Sequence, residues 1–280
     1  MKARITAAKI ILYIIVAVVC ILIIAPFVIM ISYSLRETKD IFAMDFGLIP
    51  KNPTFNAYKN VFLNKFSGTT FANWSWNSIW VCLLATFLAV FFSATMGYAI
   101  ARFKFTGKKF FLFLISLTQT IPWIIILIPY YMTISSMKLT NNLWVLMITY
   151  CAVLMPTAAW LFVGFFKKIP YEMEEAAAID GCSQWGIFFR IIIPISLSSV
   201  SAISLVSFVG GWGDYLFSST FIKKAVNWTL PLALTSFKGE FFTQWAEIMA
   251  MSVIVTVPIV ALFIFLQRYL VDMMTGSVKQ

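Results

Sequence analysis

Carboxylates are scarce in this chain, with 11 acidic residues among 280, yet Glu172, Glu174, Glu175 and Asp180 place four of them within nine positions. The sequence contains no histidine, which removes the commonest metal ligand and the usual general base near neutral pH. Cys20, Cys82, Cys151 and Cys182 are far apart and show no C-x-x-C spacing, so they read as packing residues. No catalytic or metal-ligating set emerges, and no residue of this chain is expected to bind a cofactor. The acidic cluster is left with two kinds of chemistry: helix-end electrostatics and pairing with a basic partner.

A short helix from Tyr171 to about Asp180 explains most of the cluster. Pro170 suits the start of a helix, where its missing N–H would be unpaired in any case. Glu172, Glu174 and Glu175 then lie near the positive end of the macrodipole. Ala176, Ala177 and Ala178 favour the helix strongly, and Gly181 can take the left-handed conformation that ends it. Three details go beyond this. Asp180 falls at the negative end, the bare alanines leave a thin cylinder that another protein could approach, and an amphipathic run follows through Trp185, Ile187, Phe188 and Ile191 to Pro194. The pattern predicts a helix–turn–helix built to be gripped.

The elements that must carry this loop are set by composition. Apolar residues make up 61% of the chain and charged residues 11%, against about 45–50% and 25% in soluble domains, so lipid must solvate it. Crossing the hydrocarbon takes about 20 apolar residues. Uncharged runs cover Ile10–Leu35, Phe110–Met137, Leu139–Phe166, Ile191–Gly213 and Ile248–Gln267. A sixth span is expected at about Ile79–Ala101, because the preceding "FSGTTFANWSWNS" is polar and rich in turn formers. The first run exceeds a signal-peptide core of roughly 7–15 residues and has no small-x-small cleavage site. Val19 is too bulky for the position before a lipidated cysteine at Cys20.

Lys2, Arg4 and Lys9 precede the first span, Arg102, Lys104, Lys108 and Lys109 follow the second, and Lys167 and Lys168 follow the fourth. By the positive-inside rule both termini and the acidic loop are cytoplasmic. The net charge of +10 comes from residues flanking apolar runs rather than from a basic stripe, so no nucleic-acid partner is expected.

Along the spans, Asp214 is the one carboxylate at a span end, beside Gly210, Gly211 and Gly213, which are expected to break the helix and expose backbone. Trp212 and Tyr215 flank it, which makes the three candidate pathway residues; interfacial anchoring is the alternative. Gln119 in "LTQTIPW" needs a partner and is expected to face a neighbouring helix or the cavity.

Glu175-Ala176-Ala177, three residues, Gly181, nine residues, then Ile191-Ile192-Ile193-Pro194 resembles the EAA motif of binding-protein-dependent ABC importer permeases, EAA-x3-G-x9-I-x-L-P. Ile193 stands where leucine is usual. "NPTFNAYKNVF", "GYAIARFKFTGKK", "GWGDYLF" and "QRYLVDMMTGSVKQ" resemble further segments of the maltose-type second permease subunit, so the chain resembles a MalG-like permease of a carbohydrate importer. The resemblance implies an all-α membrane fold: residues 1–72 as cytoplasmic tip, first span and external segment, 73–267 as the permease core, and 268–280 as a cytoplasmic tail. It implies that the loop with Glu174, Glu175, Ala176, Ala177, Asp180, Gly181 and Pro194 is a coupling helix docked on a cytoplasmic ATPase. Glu175 would pair with a basic residue there, and Thr275, Gly276 and Lys279 of the tail would lie near the ATPases. The implied partners are a second, MalF-like permease, two ATPase copies carrying ATP and Mg, an extracytoplasmic solute-binding protein and a carbohydrate, in a bacterial cytoplasmic membrane. Polyols and glycerol-phosphate compounds fall within the same family. An ion-coupled transporter would need intramembrane relays, for which only Asp214 qualifies. A membrane enzyme is disfavoured by the missing histidine. There is no G-x-x-x-x-G-K-[ST], so nucleotide hydrolysis is expected on a separate subunit.

Overall fold

The computed structural model describes residues 2–42, 47–63, 65–239 and 242–275. The fold is built from helices: α1 (Lys2–Ser34), α2 (Phe71–Arg102), α3 (Lys108–Thr120), α4 (Trp123–Ser136), α5 (Leu143–Phe166), α6 (Glu172–Ile179), α7 (Gln184–Ile195), α8 (Leu197–Trp212), α9 (Leu216–Phe221) and α10 (Trp245–Thr275). Among the described residues, five apolar stretches are long enough to cross a bilayer, and six if α3 and α4 together make one span. Gly181 and the turn it makes separate α6 from α7 where the sequence places the helix–turn–helix.

Two spans differ from their expected form. The run Phe110–Met137 is broken into α3 and α4, bent by 96°. Pro122 causes this: it disfavours helical geometry in the residue before it, and Ile121 is extended at φ −82° and ψ 120°. The polar start of the second span is helical from Phe71, not from about Ile79. Its polar side chains are used rather than solvated. Trp74 Nε1 donates to the Ala225 carbonyl at 2.9 Å, and Asn77 Nδ2 donates to the carbonyls of Val226 and Trp228 at 2.9 and 3.0 Å. Ser78 Oγ accepts from the Leu230 N–H at 2.7 Å. An irregular segment is thereby satisfied by the side chains of one helix, as burial requires. A tight turn at Ser67 and Gly68, both at positive φ, does precede the helix.

The contacts group the chain into two compact units, Met1–Phe71 with Leu234–Val257, and Ala72–Ala233 with Pro258–Gln280. In the first unit, α1 carries no buried residue from Lys9 to Ile31. Beyond it, Ser34 Oγ meets the Tyr58 hydroxyl at 2.8 Å, and Glu247 accepts from Asn60 Nδ2 at 3.0 Å.

The second unit holds the acidic loop. Its core packs Tyr98 of α2, Phe162 and Phe166 of α5, Ala177 of α6, and Phe188 and Ile192 of α7 into one buried cluster. The approach of α2 to α5 is close at Gly97, where a Cβ would stand 2.6 Å from Phe162 Cβ and 3.2 Å from the Val163 nitrogen. These neighbours are backbone-fixed. Gly97→Val should therefore destabilise the protein by about 1–3 kcal/mol through overpacking, read as a lowered melting temperature in detergent. Gly164→Ala, which enters open space, should leave it unchanged or slightly raised.

Candidate functional site

α6 is a helix of eight residues whose two ends are closed differently. At its start the Tyr171 carbonyl accepts from the N–H groups of Glu174 and Glu175 at 2.9 and 3.1 Å. At its end Gly181 sits at φ +84°. The Cys182 N–H then reaches the Ala177 carbonyl at 3.0 Å, and the Gly181 N–H reaches that of Ala178 at 3.1 Å. This is a Schellman cap, and its expected apolar contact is present, because Cys182 packs on the same cluster as Ala177. A Cβ at Gly181 would meet nothing within 4 Å, so the requirement for glycine is one of backbone conformation alone.

One face of α6 is buried and the other bare. Glu174 and Ala177 are each 6% exposed. Glu172, Met173, Glu175, Ala176, Ile179 and Asp180 are exposed, with Ile179 at 86%. Ala177 thus packs into the chain itself, whereas Ala176 and Ala178 are exposed.

Glu174 is held from α2. Its carboxylate accepts from the Tyr98 hydroxyl at 2.7 Å and forms an ion pair with Arg102 Nε. Arg102 Nη2 also donates to the Ile169 carbonyl at 2.9 Å, in the turn that leads into α6. The two ion-pair side chains are 8% and 7% exposed. Removing one partner of such a buried pair typically costs about 3–5 kcal/mol, because the other charge is left unmatched.

α7 begins with Ser183, whose Oγ accepts from the Gly186 N–H at 3.2 Å. It continues as a π turn over Phe188–Ile192 before Pro194. The wider turn suits the proline, whose ring would clash with the carbonyl four residues back in a regular helix. Pro194 itself is exposed.

The residues singled out along the spans lie apart from this loop. Asp214 follows α8 and caps α9: its carboxylate accepts from the N–H groups of Phe217 and Ser218 at 3.2 and 3.0 Å, and from the Tyr150 hydroxyl at 2.8 Å. Trp212 is 2% exposed and stacks on Phe208, whereas Tyr215 is exposed. Gly210 and Gly211 do not break α8, which runs through them to Trp212 and has Gly213 as its C-cap. They serve close packing instead, since a Cβ on Gly210 would stand 2.9 Å from Leu154 Cδ2. Gln119 is exposed, in the last turn of α3 before the kink. A cleft of about 260 Å³ lies between α4, α5 and α8, lined by Trp123, Leu154, Thr157, Val206, Ser207 and Gly210. Thr275 is the last residue of α10, and Gly276 and Lys279 lie outside the described residues. Among the described residues, no group of three or more Cys, Asp or Glu could hold a metal ion.

Residues 89–275 match the family of binding-protein-dependent transport system inner membrane components. The chain belongs to this family. The permease is 34% identical over 214 residues to an arabinooligosaccharides transport system permease protein of Halalkalibacterium halodurans, covering 74% of each chain. It is 32% identical to the galactooligosaccharides permease protein of Bacillus subtilis, over 82% of each. With the diacetylchitobiose uptake permease protein of Streptomyces coelicolor it shares 31%, over 89% of this chain and 90% of the other. Its fold matches a chain of a bacterial ABC transporter that imports the acidic polysaccharide alginate, with a TM-score of 0.80 at 18% identity, over 95% of this permease and 97% of that chain. The permease is therefore a multi-pass membrane protein and a transport subunit.

Sequence reasoning missed Tyr98, Arg102 and Ile179. In the sequence Arg102 reads only as an orientation signal, and nothing local pairs it with a residue 72 positions away. The left-handed backbone at Gly181 makes a defined demand. Gly181→Val should cost the cap about 1–2 kcal/mol, speeding hydrogen exchange of the Gly181 and Cys182 amides roughly tenfold, whereas Gly181→Asn should have a smaller effect.

Proposed function

We propose that this permease is the MalG-like subunit of an ATP-driven importer that carries an oligosaccharide or disaccharide into the cytoplasm. The observation that carries the reading is the two-sided α6, fixed to the chain through Glu174 and bare along Glu175, Ala176 and Ile179. Ile179, 86% exposed and three residues after Ala176, gives the bare face of α6 an apolar surface that fits a protein cleft. The carbohydrate class is supported by the substrates named for the related permeases.

In this reading the spans form half of a pathway whose other half is a MalF-like permease. Two cytoplasmic ATPase copies bind ATP and Mg and receive α6, and a solute-binding protein delivers the sugar on the opposite side. Both termini are cytoplasmic. Glu175 meets a basic residue of the ATPase, Ile179 fills an apolar pocket beside it, and Ala176 lets the two backbones approach. Closure of the ATPases moves α6, and the spans exchange an inward-facing for an outward-facing arrangement by rigid-body motion. The cleft beside Trp123, Thr157 and Ser207 combines an aromatic face with two hydroxyls, which suits a passing sugar ring.

The reading is tested on the assembled importer. Glu175→Lys places like charges at a desolvated contact and should weaken docking by about 2–5 kcal/mol, so that the ATPase no longer co-purifies. Ile179→Asp should act likewise, with the permease still inserted in the membrane. An unchanged complex in both variants would remove α6 as the docking element. Uptake by proteoliposomes of labelled arabino- and galacto-oligosaccharides, dependent on ATP and on the cognate binding protein, tests the substrate class.

A further inference from the structure

The ion pair of Arg102 with Glu174 lies on the buried side of α6. The outer face of α6 is exposed, whereas Glu174 points the other way, into the chain. Its carboxylate gathers two groups of α2 that lie one helical turn apart, the Tyr98 hydroxyl and Arg102 Nε. Arg102 extends the link, since its Nη2 holds the Ile169 carbonyl at 2.9 Å. Its guanidinium also lies 5.9 Å from the centre of the Tyr171 ring. One side chain at the end of α2 therefore grips α6 both through Glu174 and through the turn that precedes it.

The surroundings make this connection stiff. Tyr98 is packed edge-on to Phe166 with ring centres 6.0 Å apart, and it lies 5.1 Å from the ring of Phe188. Phe166 ends α5 and Phe188 begins the π turn of α7. Four helices thus meet around one charge pair, and α2 has its Gly97 pressed against α5 a single residue before Tyr98.

We propose that Tyr98, Arg102 and Glu174 form a strut that transmits displacement of α6 to α2, making Arg102 and Glu174 positioning residues for the transport cycle. This rests on α6 being the ATPase-docking helix. A load applied at Glu175 and Ile179 reaches α2 through charge-assisted hydrogen bonds, which hold direction as well as distance. Apolar contacts at Ala177 would allow the helix to slide, and the strut prevents this.

The test uses the complete importer in proteoliposomes, with sugar imported per ATP hydrolysed as the readout at matched amounts of assembled complex. A purely structural role would reduce the amount of complex and leave this ratio alone. Glu174→Gln, which keeps the shape and removes the charge, should lower the ratio by roughly tenfold while the ATPase still co-purifies. The exchange of Arg102→Glu with Glu174→Arg should recover part of it. Tyr98→Phe, which leaves the ion pair, should give a smaller fall. If Glu174→Gln does not assemble, Arg102→Lys and Tyr98→Phe take its place, and a lowered ratio in either supports the strut. An unchanged ratio in the assembled variants overturns it and leaves the docking assignment standing. Failure of α6 to bind the ATPase, seen separately with Glu175→Lys and Ile179→Asp, removes the basis of both.

Discussion

A carboxylate withdrawn from water is costly unless other groups replace the hydration it has lost, and Glu174 is withdrawn almost completely. Its replacements are fixed in number and direction: one tyrosine hydroxyl and one guanidinium, both from α2. This requirement sets the rotation of α6 about its own axis. Successive residues on a helix differ by about 100°, so once Glu174 points inward Glu175 and Ala176 are turned outward. Ala177 follows Glu174 by three positions and returns to the inner face, where it is buried. The bare surface of the loop is a consequence of where one buried charge finds its partner.

The same rule governs the interruptions of the spans. Where a helix breaks in an apolar surrounding, its freed backbone groups need new partners. The break after α8 is repaired by Asp214, which takes two N–H groups of α9 and is steadied by Tyr150. The irregular stretch from Ala225 to Leu230 is repaired by Trp74, Asn77 and Ser78. At these two discontinuities the polar side chains of the oily chain replace the partners that a helix would have supplied.

Much of the architecture is legible in the sequence because lipid imposes length and hydrophobicity on each span. The acidic loop is legible too, since helix-end chemistry and the glycine turn are local. Gly181 takes the left-handed backbone that its place after the alanines implies. The features that escape are those where distant parts of the chain meet. The polar start of α2 reads as a loop because its partners lie about 150 residues further on. Pro122 is visible in the sequence, but continuous hydrophobicity across it conceals the sharp turn between α3 and α4. Asp214 looks like a pathway residue by its depth, and only its hydrogen bonds show it capping the next helix. Glu174 and Glu175 are chemically identical neighbours, and nothing short of the fold distinguishes the one that is buried.

A helix as short as α6 would not persist on its own, because the cost of nucleating it is recovered only over a longer run. Its order is borrowed at both ends. Arg102 fixes the entry through the Ile169 carbonyl, and the Schellman cap fixes the exit by returning Cys182 to the core beside Ala177. Between these anchors Glu174 forbids rotation. An element held at two ends and against twist has no soft direction left within the loop. A force on its outer face must then be carried by the helices it is anchored to, chiefly α2, whose close contact with α5 at Gly97 passes the load onward. Short length, which would make an isolated helix weak, leaves this one anchored along its whole extent.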